Sequence, residues 1–82
     1  MDQARNTLLA NLSRHAGHAR RRLALSIDHT GQLVGIPQSS LEAIERGDYD
    51  GTATLDELIQ LSLFLGLTST GMPRAKPPGA RI

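Results

Sequence analysis

The segment Gln38–Arg46 carries side chains whose chemistry suits recognition of base-pair edges. On a helix, Leu41 and Ile44 lie three positions apart and face the protein interior, which turns the intervening polar positions outward. A glutamine can pair with adenine through two hydrogen bonds, a glutamate can accept from cytosine, and a serine can donate or accept. The positions expected to read bases are Gln38, Ser39, Glu42 and Ala43.

A helix that reads bases must stand out from the protein body, supported by a second helix that crosses behind it. The preceding residues fit that role. Ser26 is a predicted N-cap for a helix over about 27–34, where small Gly31 would allow close crossing. Gly35 can take the left-handed conformation that a sharp turn requires. Gly47 is a natural stop after the second of the two helices.

Apolar spacing predicts the remaining helices. One face of a first helix, over about residues 2–24, is formed by Leu8, Leu12, Ala16, Ala19 and Leu23. The third helix, about 38–46, has two possible starts: Pro37 at its first position, or a capping box at Ser39–Glu42 that begins it two residues later. A second capping box, Thr54–Glu57, opens a fourth helix that ends at Gly66.

Composition and length predict one small all-α domain. The chain has 82 residues, two aromatic side chains and no cysteine, so disulfides and thiolate chemistry are excluded. We expect a domain over residues 1–71 and a flexible basic tail with Pro and Gly over 72–82. No apolar run approaches the length of a membrane helix, and we expect a cytoplasmic, nucleoid-associated protein.

Charge is unevenly distributed along the chain. Residues 1–22 have a net charge of +4, residues 23–73 have −6 and residues 74–82 have +3. A phosphate-binding surface would therefore depend on the first helix and Arg46, with the basic tail as a further candidate. The acidic middle of the chain instead favours a basic or apolar protein partner, and we keep both alternatives.

Catalytic and metal-binding chemistry is not expected. The chain has no glycine-rich phosphate loop and no Ser/His/Asp set in a strand-turn context. His15 and His18 lie at i, i+3, with His29 further along, which is too few ligands to predict a metal site. We expect neither an enzyme nor a cofactor.

The region from Arg20 to Leu67 resembles the lambda-repressor-like helix-turn-helix domain of the Cro and xenobiotic-response-element class. The most specific part is 35–47, Gly-Ile-Pro-Gln-Ser-Ser-Leu-Glu-Ala-Ile-Glu-Arg-Gly, which is similar to the family pattern Gly-Ile/Val-Ser-x-x-x-Ile-x-x-Ile-Glu-x-Gly. The Leu65–Leu67 step also resembles the end of the family's fourth helix. The resemblance implies a compact domain of four to five helices with a helix-turn-helix.

The same resemblance implies roles for individual residues. Arg20 would pair with Glu45 and join the first helix to the third, so Glu45 would belong to the scaffold. The family's usual DNA contacts fall on Ser26 and Ile27, and on third-helix positions Gln38, Ser39, Ser40, Glu42 and Ala43, with Arg46 toward the DNA backbone. Phosphate contacts are expected from Arg20, Arg21, Ser26, Ser40 and Arg46.

Two functions follow from these observations as hypotheses. The first is a transcriptional regulator, a repressor, that binds double-stranded operator DNA as a homodimer through the major groove. The second is a protein-interaction module of the same fold, antitoxin-like or an anti-activator, that uses the fourth helix and an acidic surface. Asp48 and Asp50 lie where the family usually has a basic loop, and they motivate the second hypothesis.

Overall fold

Four helices form the fold of residues 3–74. The computed structural model describes residues 3–74, in which α1 spans Gln3–Arg22, α2 Ile27–Val34, α3 Gln38–Arg46 and α4 Leu55–Phe64. These residues form no strand, although an isolated antiparallel bridge joins Leu67 to Pro73. The predicted all-α class is confirmed, and no helix between residues 3 and 74 is both long and apolar enough to cross a bilayer.

Helix α1 supplies one wall of the core and packs against α3 and α4. Its buried positions are those that the apolar spacing predicts: Leu8, Leu12, Ala16 and Ala19. The spacing also places Leu23 on this face, but that prediction was wrong, because Leu23 is 48% exposed. Helix α1 ends at Arg22, and the chain then reverses through Ala24 at φ 59°, so Leu23 leaves the face that the helical repeat would have given it.

Helix α2 begins and ends where its caps predict. The Ser26 hydroxyl accepts a hydrogen bond from the backbone N–H of His29, and Gly35 closes the helix at φ 76°. Gly31 is buried, and a Cβ there would lie 2.5 Å from the carbonyl oxygen of Ile36. Only glycine fits that close approach between α2 and the turn that follows it.

Helix α3 begins at Gln38, immediately after Pro37. The capping-box start at Ser39–Glu42 is wrong, because helical hydrogen bonding already begins with the Leu41 N–H bonded to the Pro37 carbonyl oxygen at 3.0 Å. Pro37 is the N-cap of α3, whereas the sequence-based alternative placed it at the first helical position. The helix ends at Gly47, which has φ 86°.

Helix α4 has the predicted capping box at its start. The Thr54 side chain accepts from the Glu57 N–H, and the Glu57 carboxylate accepts from the Thr54 N–H. The helix ends at Phe64, earlier than predicted, and the chain reverses at Gly66 with φ 82°. Leu58 and Leu61 complete the core opposite α1.

The segment Thr68–Pro73 forms a turn that closes onto α1. Asn11 donates its side-chain N–H to the Thr70 carbonyl oxygen at 2.8 Å, and the Ser62 hydroxyl donates to the Thr68 carbonyl oxygen. Contacts among the described residues therefore reach Pro73, two positions after residue 71, where the predicted domain ends. The rest of the predicted tail, residues 75–82, lies outside the described residues.

Candidate nucleic-acid interface

The candidate site is the outward face of α3. Leu41 and Ile44 are buried beneath it, 2% and 1% exposed, and fix the rotation of the helix about its axis. Gln38 and Ser39 are exposed at the N-terminal end of the face. The half-buried residues Ser40, Glu42 and Ala43 lie beside them. The predicted base-reading positions therefore share one accessible helix face.

An ion pair fastens α3 to α1. Arg20 donates from Nε to Glu45 Oε2 at 2.8 Å and from Nη2 to Glu45 Oε1 at 3.1 Å, a bidentate arrangement. A third bond runs from Arg20 Nη1 to the Leu25 carbonyl oxygen at 2.9 Å. The hydrogen bond to Glu45 raises the pKa of the Arg20 guanidinium, which therefore stays charged.

Both partners of this pair are largely covered, with side chains 14% and 17% exposed. Glu45 is therefore committed to the scaffold, as the resemblance implies. Arg20, predicted as a phosphate contact, has three of its N–H groups directed at protein acceptors. Arg21 and Arg22 are the exposed guanidinium groups of the same turn.

Gly17 makes room for this ion pair, a role that the sequence did not indicate. A Cβ at Gly17 would lie 3.0 Å from Glu45 Oε1 and 3.3 Å from Arg21 Nη1. Any side chain there would push against the carboxylate. A glycine in the middle of α1 weakens that helix, but here it also allows the Glu45 side chain of α3 to approach closely.

Two polar pairs lie on or beside the outward face of α3. Gln38 donates from Nε2 to Glu42 Oε2 at 3.2 Å, one helical turn away. Arg46 Nε lies 3.3 Å from Asp48 Oδ2, and these two side chains are 60% and 62% exposed. Such exposed pairs contribute little to stability and exchange readily for other partners.

Arg5 has a structural role that the charge count does not show. It donates from Nε to the Ala53 carbonyl oxygen and from Nη2 to the Gly51 carbonyl oxygen, both at 2.9 Å. The Tyr49 hydroxyl accepts from the Ala53 N–H in the same loop. Arg5 therefore holds the loop between α3 and α4, and the exposed arginines of α1 are Arg14, Arg21 and Arg22.

Ser26, a further predicted phosphate contact, serves as the N-cap of α2, where its oxygen accepts from the backbone. Its hydroxyl proton remains available as a donor to a phosphate oxygen. Polar groups of this face can exchange hydrogen bonds with base edges, phosphates or a polar protein surface. Comparisons of the chain with protein-family models, with curated proteins and with solved structures find no match.

Proposed function

We propose that this protein is a sequence-specific DNA-binding transcriptional regulator, a repressor, that acts as a homodimer. In this proposal α2 and α3 form a lambda-repressor-like helix-turn-helix, and α3 enters the major groove of operator DNA. The observation that carries the proposal is the bidentate Arg20–Glu45 pair, which with buried Leu41 and Ile44 holds α3 so that its polar face points outward.

Gln38 is the residue best placed to read a base. Its amide has two N–H donors and one acceptor oxygen, and only one N–H is used by Glu42. The remaining N–H and the oxygen match the N7 and N6 groups of adenine. The bond to Glu42 would orient the amide before binding, which lowers the entropy lost on recognition.

The other roles in the proposal follow from position. Ser39, Glu42 and Ala43 would contact neighbouring base pairs. Phosphate oxygens would be bound by the exposed side chains of Arg21, Ser26 and Arg46 and by the half-buried hydroxyl of Ser40.

Selection of duplexes from a random DNA pool tests the proposal directly. We expect an inverted repeat whose half-sites are separated by about one helical turn. Gln38→Ala should then weaken binding to the selected duplex by about ten- to a hundredfold. Gln60→Ala, at an exposed position of α4, is the matched control and should bind normally. Enrichment of no sequence, or unchanged binding by the Gln38 variant, would contradict the proposal.

A second candidate function is a protein-interaction module, favoured by apolar exposure on α4. Leu63 and Phe64 are 45% and 38% exposed at the end of this helix. Together with the net charge of −6 over residues 23–73, they would suit a basic or apolar protein partner. Salt dependence separates the two functions, because phosphate binding gives a steep fall of affinity with salt. Failure to retard any duplex would favour the protein partner.

A further inference from the structure

A cleft of about 360 Å³ opens beside the C-terminal ends of α1 and α4, on residues that the proposed DNA contacts do not use. Its apolar lining includes Leu23, Leu65, Leu67 and Pro73. Leu65 and Leu67 are buried members of the core, whereas Leu23 is half exposed. Leu23, which the helical spacing placed on the apolar face of the first helix, therefore forms part of an accessible apolar wall.

The rim of this cleft is cationic. Arg22 lines it from the end of α1 and Arg74 from the chain beyond the final turn, and both are exposed. His15 and His18 add two imidazole groups from α1. None of the side chains that line the cleft is acidic, and over residues 3–74 neither arginine has a carboxylate within 4.0 Å.

This local excess of positive charge contrasts with the surrounding sequence, because residues 23–73 have a net charge of −6. Beyond Arg74 the sequence adds Lys76 and Arg81 and no acidic side chain, so this last segment brings no neutralising side chain to the cleft. Two guanidinium groups on one cleft repel each other, and a bound anion would relieve that repulsion. Guanidinium also forms paired hydrogen bonds with a carboxylate.

We propose that this cleft binds a small amphipathic carboxylate, an organic acid whose apolar body lies against Leu23 and Leu65 while its carboxylate meets Arg22 and Arg74. The volume is near the lower end of the range of about 300–1,000 Å³ for small-molecule sites, which suits a compact acid. A purely polar anion would leave the apolar wall unused. The proposal does not depend on whether the protein binds DNA.

Titration of the full chain with sodium octanoate below its micelle-forming concentration tests the proposal, followed by backbone amide NMR shifts. We expect saturable shifts at Gly66, Leu67 and Arg74. Shortening the acid to hexanoate and butanoate should weaken binding by up to about fourfold per methylene removed. Octanol, which has the same chain length and no charge, should bind more weakly than octanoate.

Arginine variants locate the carboxylate. Arg22→Gln and Arg74→Gln should each weaken octanoate binding about three- to fivefold, since both groups are exposed. Arg14→Gln removes an exposed charge from the same helix outside the cleft, and it should bind octanoate normally. Octanol binding equal to octanoate, shifts that do not saturate, or equal weakening by Arg14→Gln and Arg22→Gln would each overturn the proposal.

Discussion

Substituting Arg20 by alanine removes the ion pair that fastens α3 to α1. The change deletes two bonds to Glu45, at 2.8 and 3.1 Å, and the bond to the Leu25 carbonyl oxygen. It also leaves the Glu45 carboxylate, only 17% exposed, without its counter-charge. The expected result is a large loss of stability for a side chain on the edge of the core.

The magnitude follows from the burial of the pair. Removing one member of a fully buried pair costs about 3–5 kcal/mol. The Arg20 and Glu45 side chains are 14% and 17% exposed, so water can partly solvate the charge that remains. We therefore expect Arg20→Ala to lower the free energy of unfolding by about 3 kcal/mol. For a domain of this size that corresponds to a fall in Tm of about 10–25 °C.

Urea unfolding followed by far-UV circular dichroism measures this loss for Arg20→Ala, Glu45→Ala and the double variant. The two single changes should be non-additive by about 1–3 kcal/mol, because they remove the same interaction. Arg46→Ala is the matched control, since its pair with Asp48 is 60–62% exposed and should contribute below about 0.5 kcal/mol. Additive single variants, or a near-neutral Arg20→Ala, would refute the reasoning that this pair positions α3.

Four further substitutions test the fold and the proposed interface. Gly31→Ala should cost about 2 kcal/mol or more in urea unfolding, because its Cβ would meet a backbone oxygen at 2.5 Å. Gly35→Asn, at a left-handed position with open space around it, should cost about 1 kcal/mol or less. A larger cost for Gly35→Asn than for Gly31→Ala would contradict the close approach at Gly31. Thr54→Ala should cost about 1 kcal/mol through loss of the capping box, measured in the same way. Asp48→Asn frees Arg46 and removes a negative charge, so affinity for duplex DNA measured by fluorescence anisotropy should rise about two- to fivefold; weaker binding would count against the interface.

Local signals in the sequence predict those features whose causes are themselves local. Helix α2 has the predicted bounds because Ser26 caps its start and Gly35 ends it, and both residues lie directly next to the helix. The Thr54–Glu57 capping box is equally local. Apolar spacing places most of the α1 core correctly, since periodicity directly reports which face is buried.

Features that depend on distant parts of the chain could not be predicted in this way. The turn at Thr68–Pro73 is held by Asn11, 59 positions before Thr70, and the residues next to either partner carry no signature of that bond. Arg5 is likewise only a basic charge in the sequence, whereas in the structure it binds the backbone of the loop at residues 51–53.

The candidate site was predicted unevenly for the same reason. Inward Leu41 and Ile44 define the outward positions by helical geometry alone. The Gln38–Glu42 bond has a signal at i, i+4 that could have been recognised from sequence. The close approach at Gly17 has no such sequence signal, because it depends on the position of the Glu45 carboxylate on the other side of the α1–α3 interface.

The bond from Asn11 to Thr70 has a consequence for how the protein is made. The apolar stripe of α1 is synthesised before the groups that cover it, which lie in α3, α4 and the final turn. At about 5–20 residues per second, some 60 intervening residues leave that stripe uncovered on the ribosome for about 3–12 s. The apolar stripe is therefore fully covered only after the final turn, which carries the carbonyl oxygen that Asn11 binds, has been synthesised.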